Sequence, residues 1–289
     1  MNAVLVWLCR STQESVANLL RSMDFASRNF LRWSPADILV FHEDGFDEDA
    51  VRRGAKTLNL PGNLRFAKVD FSAVKPGFEN LAQQARGYRH MCHFFGDDIF
   101  NRAELSCYDY FMRLDDDSYI LSQIKFNVFD KMSKEGIKYS YRFEMTENKN
   151  VCQGLLETAQ AFIDANPHLN RTGARPKKVK LYYTNFEICD LKWFQSEPWK
   201  KYFEAIDAAN GIWTNRWGDA PIRWLGLQYL LVPKEILPLK WMAYQHQFRL
   251  RRGFMSRLPL EYIRYALTIV IYNVKNLIWN WKHSHTGTI

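Results

Sequence analysis

Short apolar runs alternate with segments of helical spacing through the first half of the chain. Residues 3–9 (AVLVWLC) are continuously apolar, the pattern of a parallel strand buried on both faces. Ser11-Thr12-Gln13-Glu14 then reads as a capping box at a helix start, with Val16, Leu19, Leu20 and Met23 following at helical spacing. Further strands are expected at 37–42, between Pro35 and an acidic loop over 43–49, and at 65–69. A helix is expected over 79–95, with Tyr88, Met91, Cys92 and Phe95 on one face. Residues 108–114 read as an aromatic, apolar strand running straight into Asp115, Asp116 and Asp117.

The second half is more mixed. A strand is expected over 139–143, a helix over 151–166 stopped by Pro167, a basic loop over 171–180 and a strand over 181–188. A helix over 191–210 should end at Gly211 in the left-handed cap conformation. Asp219-Ala220-Pro221 has the form of a helix start, with Asp as N-cap and Pro in the first turn, running to about 231. Alternating strands and helices with carboxylates at a strand's carboxyl end predict a single α/β, Rossmann-like domain with a mostly parallel sheet, over residues 1–250. Residues 251–289 form an extension in which Leu258, Tyr262, Tyr265, Ile269, Tyr272 and Ile278 lie close to helical spacing. Its longest uncharged run is ten residues, 265–274, against the roughly 20 needed to span a bilayer. It is expected to be an amphipathic helix, touching a membrane surface beside Arg249, Arg251, Arg252 and Arg257 or packing on the domain.

Charge adds a class of partner. The formal net charge is +8, which suits phosphates or acidic surfaces. No nucleic-acid motif accompanies the basic clusters, so no nucleic-acid partner is expected. The five cysteines are widely spaced and make neither a metal pattern nor a disulfide framework, which leans towards a reducing compartment. Residues 3–9 are too short for a signal-peptide core, so the expectation is a cytoplasmic or peripheral-membrane protein.

The chemistry centres on the three aspartates. In extended backbone Asp115 and Asp117 share one side and Asp116 faces the other. Two carboxylates on one side make a hard oxygen site for Mn²⁺ or Mg²⁺, which also accept diphosphate oxygens. Glycosyl transfer uses such a metal to neutralise the departing nucleoside diphosphate. An acidic surface turn is the alternative reading.

Five ordered motifs carry a resemblance. They are Tyr88-Arg89-His90-Met91-Cys92-His93-Phe94-Phe95, Met112-Arg113-Leu114-Asp115-Asp116-Asp117, Thr184-Asn185-Phe186-Glu187-Ile188, Arg216-Trp217-Gly218-Asp219-Ala220-Pro221-Ile222 and Ala243-Tyr244-Gln245-His246. In order and spacing, over about residues 1–250, the chain resembles glycosyltransferase family 15, the fungal α-1,2-mannosyltransferases. That family carries YRxMCRFF, WRVEPDV, SNFEI, RWGDAPV and a late Tyr-x-His. The resemblance implies a GT-A fold, GDP-mannose as donor, Mn²⁺, a retained anomeric configuration and a glycan or glycoprotein acceptor. By position it implies that Asp115, Asp117 and His246 hold the metal and that Asp115 and Asp116 lie at the donor. Tyr88 and Arg89 fall near the nucleotide-sugar, Glu187 beneath the anomeric carbon and Asp219 near donor sugar or acceptor. It also implies a Golgi lumen as the alternative location.

Retention needs a carboxylate nucleophile or front-face attack beside a shielding group, and Glu187 suits both. Three departures stand out: EPD is replaced by Asp115-Asp116-Asp117, Leu181-Tyr182-Tyr183 stands where the family has Cys-His-Phe-Trp, and the family's N-terminal membrane anchor is expected to be lacking. The competing readings are the same fold with another nucleotide-sugar, a non-catalytic carbohydrate-binding protein, and a metal-dependent phosphohydrolase. The last lacks an aspartate after the first strand, where Cys9-Arg10-Ser11 stands.

Overall fold

A computed structural model describes residues 1–247. The elements run β1 (Ala3–Cys9), α1 (Gln13–Ala26), β2 (Asp37–His42), α2 (Glu48–Ala55), β3 (Leu64–Lys68), α3 (Gln83–Gly96), β4 (Tyr110–Leu114) and β5 (Ser118–Ile120). They continue α4 (Val128–Glu135), β6 (Tyr139–Tyr141), β7 (Glu144–Thr146), α5 (Leu155–Ala165), β8 (Lys180–Tyr182), β9 (Phe186–Asp190), α6 (Leu191–Phe194) and α7 (Glu197–Ala208). The last are α8 (Gly211–Thr214), α9 (Asp219–Leu230), β10 (Ile236–Pro238) and β11 (Tyr244–His246).

A seven-stranded sheet in the order β10-β6-β9-β4-β1-β2-β3 forms the centre. Its strands are parallel to their neighbours except β9, which runs antiparallel to β4 and β6. Both faces are covered, which is why β1 reads as a continuous apolar run. Val4 and Val6 pack towards α3, α5, α7 and α9, whereas Leu5 and Trp7 pack towards α1 and α4. The order reverses between β1 and β4, and ligands of α/β sheets bind beyond the carboxyl ends of the strands at such a point. Asp115, Asp116 and Asp117 lie there. No helix among the described residues is long and apolar enough to cross a membrane, and the extension expected over 251–289 lies outside the described residues.

Several local expectations shift. Thr12, not Ser11, caps α1 by accepting from the Ser15 N–H at 3.1 Å, so a single cap stands where a reciprocal box was expected. The helix expected from 79 begins at Gln83. The segment expected as one helix over 191–210 breaks into α6 and α7 because Pro198, which has no N–H to give, opens the second. Asn210 takes the left-handed conformation expected of Gly211 (φ 57°), and Gly211 instead starts α8 against the Trp217 ring. Gly218, not Asp219, is the N-cap of α9. The strand expected over 181–188 is two, β8 and β9, because residues 183–185 leave the ladder to send side chains into the site.

Candidate active site

β4, an inner strand, delivers Asp115 just beyond its carboxyl end. A turn closed by Ser118 N–H donating to the Asp115 carbonyl (3.0 Å) reverses the chain into β5. β5 pairs antiparallel with β11 in a register that sets His246 opposite Ser118, and the Gln247 N–H donates to the Asp117 carbonyl (2.9 Å). This pairing brings a histidine from more than a hundred residues downstream onto the aspartates. His246 Nε2 lies 3.0 Å from Asp117 Oδ1 and 3.7 Å from Asp115 Oδ2. One ligand atom from each of the three lies within 4.8 Å of the others. Burial works against a charge on the His246 imidazole, but its hydrogen bond to Asp117 and the nearby carboxylates raise its pKa.

The surrounding side chains orient this group. The Tyr183 hydroxyl lies 3.0 Å from His246 Nδ1 and fixes the ring from behind, as outer partners of metal-binding histidines do. Buried Arg113, on β4, donates from Nε to Asp115 Oδ1 (3.0 Å) and from NH1 to Asp219 Oδ2 (2.6 Å), with its guanidinium 3.6 Å from the centroid of the Phe95 ring. Thr184 Oγ1 donates to the same Asp219 oxygen (2.7 Å), which leaves Asp219 Oδ1 outside these bonds. The Tyr244 hydroxyl joins Ser118 Oγ (2.8 Å) to Asn185 Oδ1 (2.7 Å), which links β5, β11 and the segment before β9.

The remaining expected residues are placed differently. Asp116 points away from His246 to the opposite side of the turn, where Ser15 Oγ donates to Oδ2. Burial pushes its carboxyl up to about 6. Glu187 is wholly enclosed, with no exposed surface, beside its cross-strand partner Arg113 rather than open to a substrate. Its Oε2 accepts from Arg223 Nε (3.1 Å), and Arg223 is packed among Phe100, Phe194 and Trp199. Arg89 does not join the site: its Nε donates to the Trp213 carbonyl (2.9 Å) and its NH1 to the Ala85 carbonyl (3.0 Å). Tyr88 does lie beside it, under the Arg216 guanidinium (4.2 Å) and next to Gly218. Arg216 is exposed and left-handed (φ 61°), an uncommon conformation for a non-glycine residue.

The motifs include Arg113, Thr184 and Tyr244 without giving them a role, and Arg223 and Tyr183 likewise carry none in the sequence. A signal exists for the two arginines, since each is the sole charge inside an apolar stretch, FMRL and PIRWLGL. The cluster's charges also bear on what it holds. Among the described residues, Asp115, Asp117, Asp219 and Glu187 meet Arg113, Arg223 and the His246 imidazole, so the four carboxylates exceed the two guanidiniums by two charges, or by one when His246 is protonated. Two carboxylates, an imidazole and that excess fit a divalent cation.

Known proteins agree with this architecture. A family model described as glycolipid 2-alpha-mannosyltransferase matches residues 1–252. The probable mannosyltransferase KTR4 of Saccharomyces cerevisiae is 27% identical over 212 residues, 67% of this chain and 46% of that protein. Glycolipid 2-alpha-mannosyltransferase 1 of Candida albicans is 30% identical over 172 residues, 56% of this chain and 40% of that protein. The chain thus spans about half the length of these curated relatives. The crystal structure of S. cerevisiae Ktr4p in complex with GDP is similar over 85% of this chain and 71% of that one, with a TM-score of 0.76 and 18% identity. Core-mannan synthase A of Aspergillus fumigatus, solved in a Mn/GDP-form, gives 0.73 and 20% over 85% of this chain and 74% of that one. These likenesses establish the GT-A-like fold, and the match over residues 1–252 means that the chain belongs to glycosyltransferase family 15, the glycolipid 2-alpha-mannosyltransferase family.

Proposed function

We propose that this chain transfers mannose from GDP-mannose to a hydroxyl of a glycan or glycoprotein, with retention and with Mn²⁺ (or Mg²⁺) held by Asp115, Asp117 and His246. The observation that carries the reading is the β5 with β11 pairing, which gathers those three side chains at the sheet's switch point. The solved relatives described with GDP and with Mn and GDP support the donor. A cation held by these three residues would supply positive charge to a departing diphosphate.

The chain's own residues do the rest. Tyr183 holds the His246 ring so that Nε2 faces the aspartates. Arg113 fixes Asp115 and Asp219 with one planar fork, a geometry lysine cannot copy. Asp219 Oδ1, outside those bonds, accepts a sugar hydroxyl and orients the donor or acceptor. Tyr88 offers its ring and hydroxyl beside Gly218, while Arg89 serves the donor only by anchoring α8. Glu187, enclosed and paired with Arg223, supports from below, which favours front-face attack over a covalent glycosyl-Glu187 intermediate. Residues 251–289 extend this catalytic domain and add peripheral membrane contact.

A panel of nucleotide-sugars, incubated with Mn²⁺ and mannoside acceptors, tests this. GDP-mannose should be consumed, with an α-linked product by proton NMR and no turnover by Asp117→Ala. Preference for another donor would sink the mannosyl assignment, and a β-linked product would sink retention.

A further inference from the structure

The turn that carries the aspartates is held unevenly. The main chain at Asp115 is tied by its N–H to the Asn185 carbonyl (3.3 Å), and at Asp117 by its carbonyl to Gln247 N–H (2.9 Å). Asp116, at the apex between them, is held through its side chain. Ser15, the third residue of α1 and almost fully buried, supplies that hold. Its hydroxyl accepts from the Arg10 N–H (3.1 Å), which directs its proton to Asp116 Oδ2. The Cys9 thiol closes the group, 3.2 Å from Ser15 Oγ and 3.9 Å from Asp116 Oδ2. The end of β1 and the capped first turn of α1 thereby grip the apex on the side away from His246.

Asp116 is the second residue of a four-residue turn and does not have a positive φ, so it sits where turns favour proline. Its N–H enters no hydrogen bond that a ring would remove. Proline is what the EPD motif of the family carries at that position. A ring fixes such a turn by its own covalent geometry. An aspartate there leaves the backbone free unless something outside the turn restrains it.

We propose that Ser15 is a positioning residue for the metal centre: its hydroxyl clamps Asp116 and so sets the angle at which Asp115 and Asp117 face His246. The clamp does in this chain, by a contact from α1, what a proline does from within the turn. The part concerning metal rests on the proposed function.

Two readouts on the full chain separate the clamp from that reading. One is amide hydrogen exchange of the peptide covering 115–120 in metal-free protein, and the other is calorimetric titration with Mn²⁺ alone. Ser15→Ala should speed exchange about tenfold or more and weaken Mn²⁺ binding about tenfold, the lower end for lost outer partners of a metal site. Asp116→Asn, which still accepts from Ser15, should keep both near the parent. Asp116→Pro should also keep both, and Ser15→Ala should then change neither. Parental exchange and affinity in Ser15→Ala would overturn the proposal, as would a Ser15→Ala penalty undiminished in the proline background. If the parent binds no Mn²⁺, the metal reading falls, and exchange alone decides whether Ser15 holds the turn.

Discussion

Arg113 is the residue on which the site turns, because one guanidinium fixes both an expected metal ligand and an expected sugar-binding carboxylate. Arg113→Lys keeps the charge but loses the fork, and it should weaken Mn²⁺ binding about tenfold in calorimetry. Glu187 and Arg223 make a second, deeper pair with no exposed surface. Removing one partner leaves the other charge buried and alone, so Glu187→Gln should cost about 3–5 kcal/mol in urea unfolding. Replacing both, as Glu187→Leu with Arg223→Met, should cost less than that single change. A double variant no more stable than the single would mean that packing among the rings, rather than charge, sets the cost.

At the scale of elements, glycines and ion pairs decide how closely the helices approach. A Cβ on Gly226 of α9 would stand 2.5 Å from the Tyr202 ring and 2.8 Å from Trp199, both on α7. Neither buried ring has room to retreat, so Gly226→Ala should destabilise by about 1–3 kcal/mol. His93 joins α3 to α7, with Nδ1 2.8 Å from Asp98 and Nε2 3.5 Å from Asp207. Burial opposes its charge, but those aspartates outweigh burial and raise its pKa to about 9. Because the folded value lies above the unfolded one near 6.5, the pair's contribution is complete below about pH 6.5 and disappears as pH rises through about 9. Stability should therefore decline across that window in the parent, and His93→Gln should remove that part of the decline; an unchanged profile would contradict the assignment.

These elements also show where the sequence could be read. β1, β2 and β4 were legible because burial on both faces leaves uninterrupted apolar runs. Asp115 and Asp117 were legible as a pair of carboxylates at a strand's end, although a turn rather than strand alternation sets the side each one faces. β10 and β11, three residues each, carry no period of their own and exist through pairing with β6 and β5. The bonds of Arg113 to Asp219 and of Tyr183 to His246 link residues 106 and 63 positions apart. Only the fold brings such partners together, so resemblance found His246 where periodicity did not.

For the whole molecule, charge is concentrated outside the described residues. Of the formal +8, six fall on residues 248–289, which hold Arg249, Arg251, Arg252, Arg257, Arg264, Lys275 and Lys282 against Glu261 alone. Clustered cations beside apolar positions favour anionic lipid surfaces. Full-length protein should sediment with anionic liposomes and a chain ending at Gln247 should not; equal sedimentation of both would remove the membrane from the account.

In the proposed function, one cation held by Asp115, Asp117 and His246 ties a guanosine diphosphate donor to the switch point of the sheet. Calorimetric titration with GDP, with and without Mn²⁺, tests it most directly in the parent, Asp117→Ala and His246→Ala. Mn²⁺ should tighten GDP binding at least tenfold in the parent and make no difference in either variant. GDP binding that ignores Mn²⁺ in the parent, or responds to it equally in all three proteins, would contradict it.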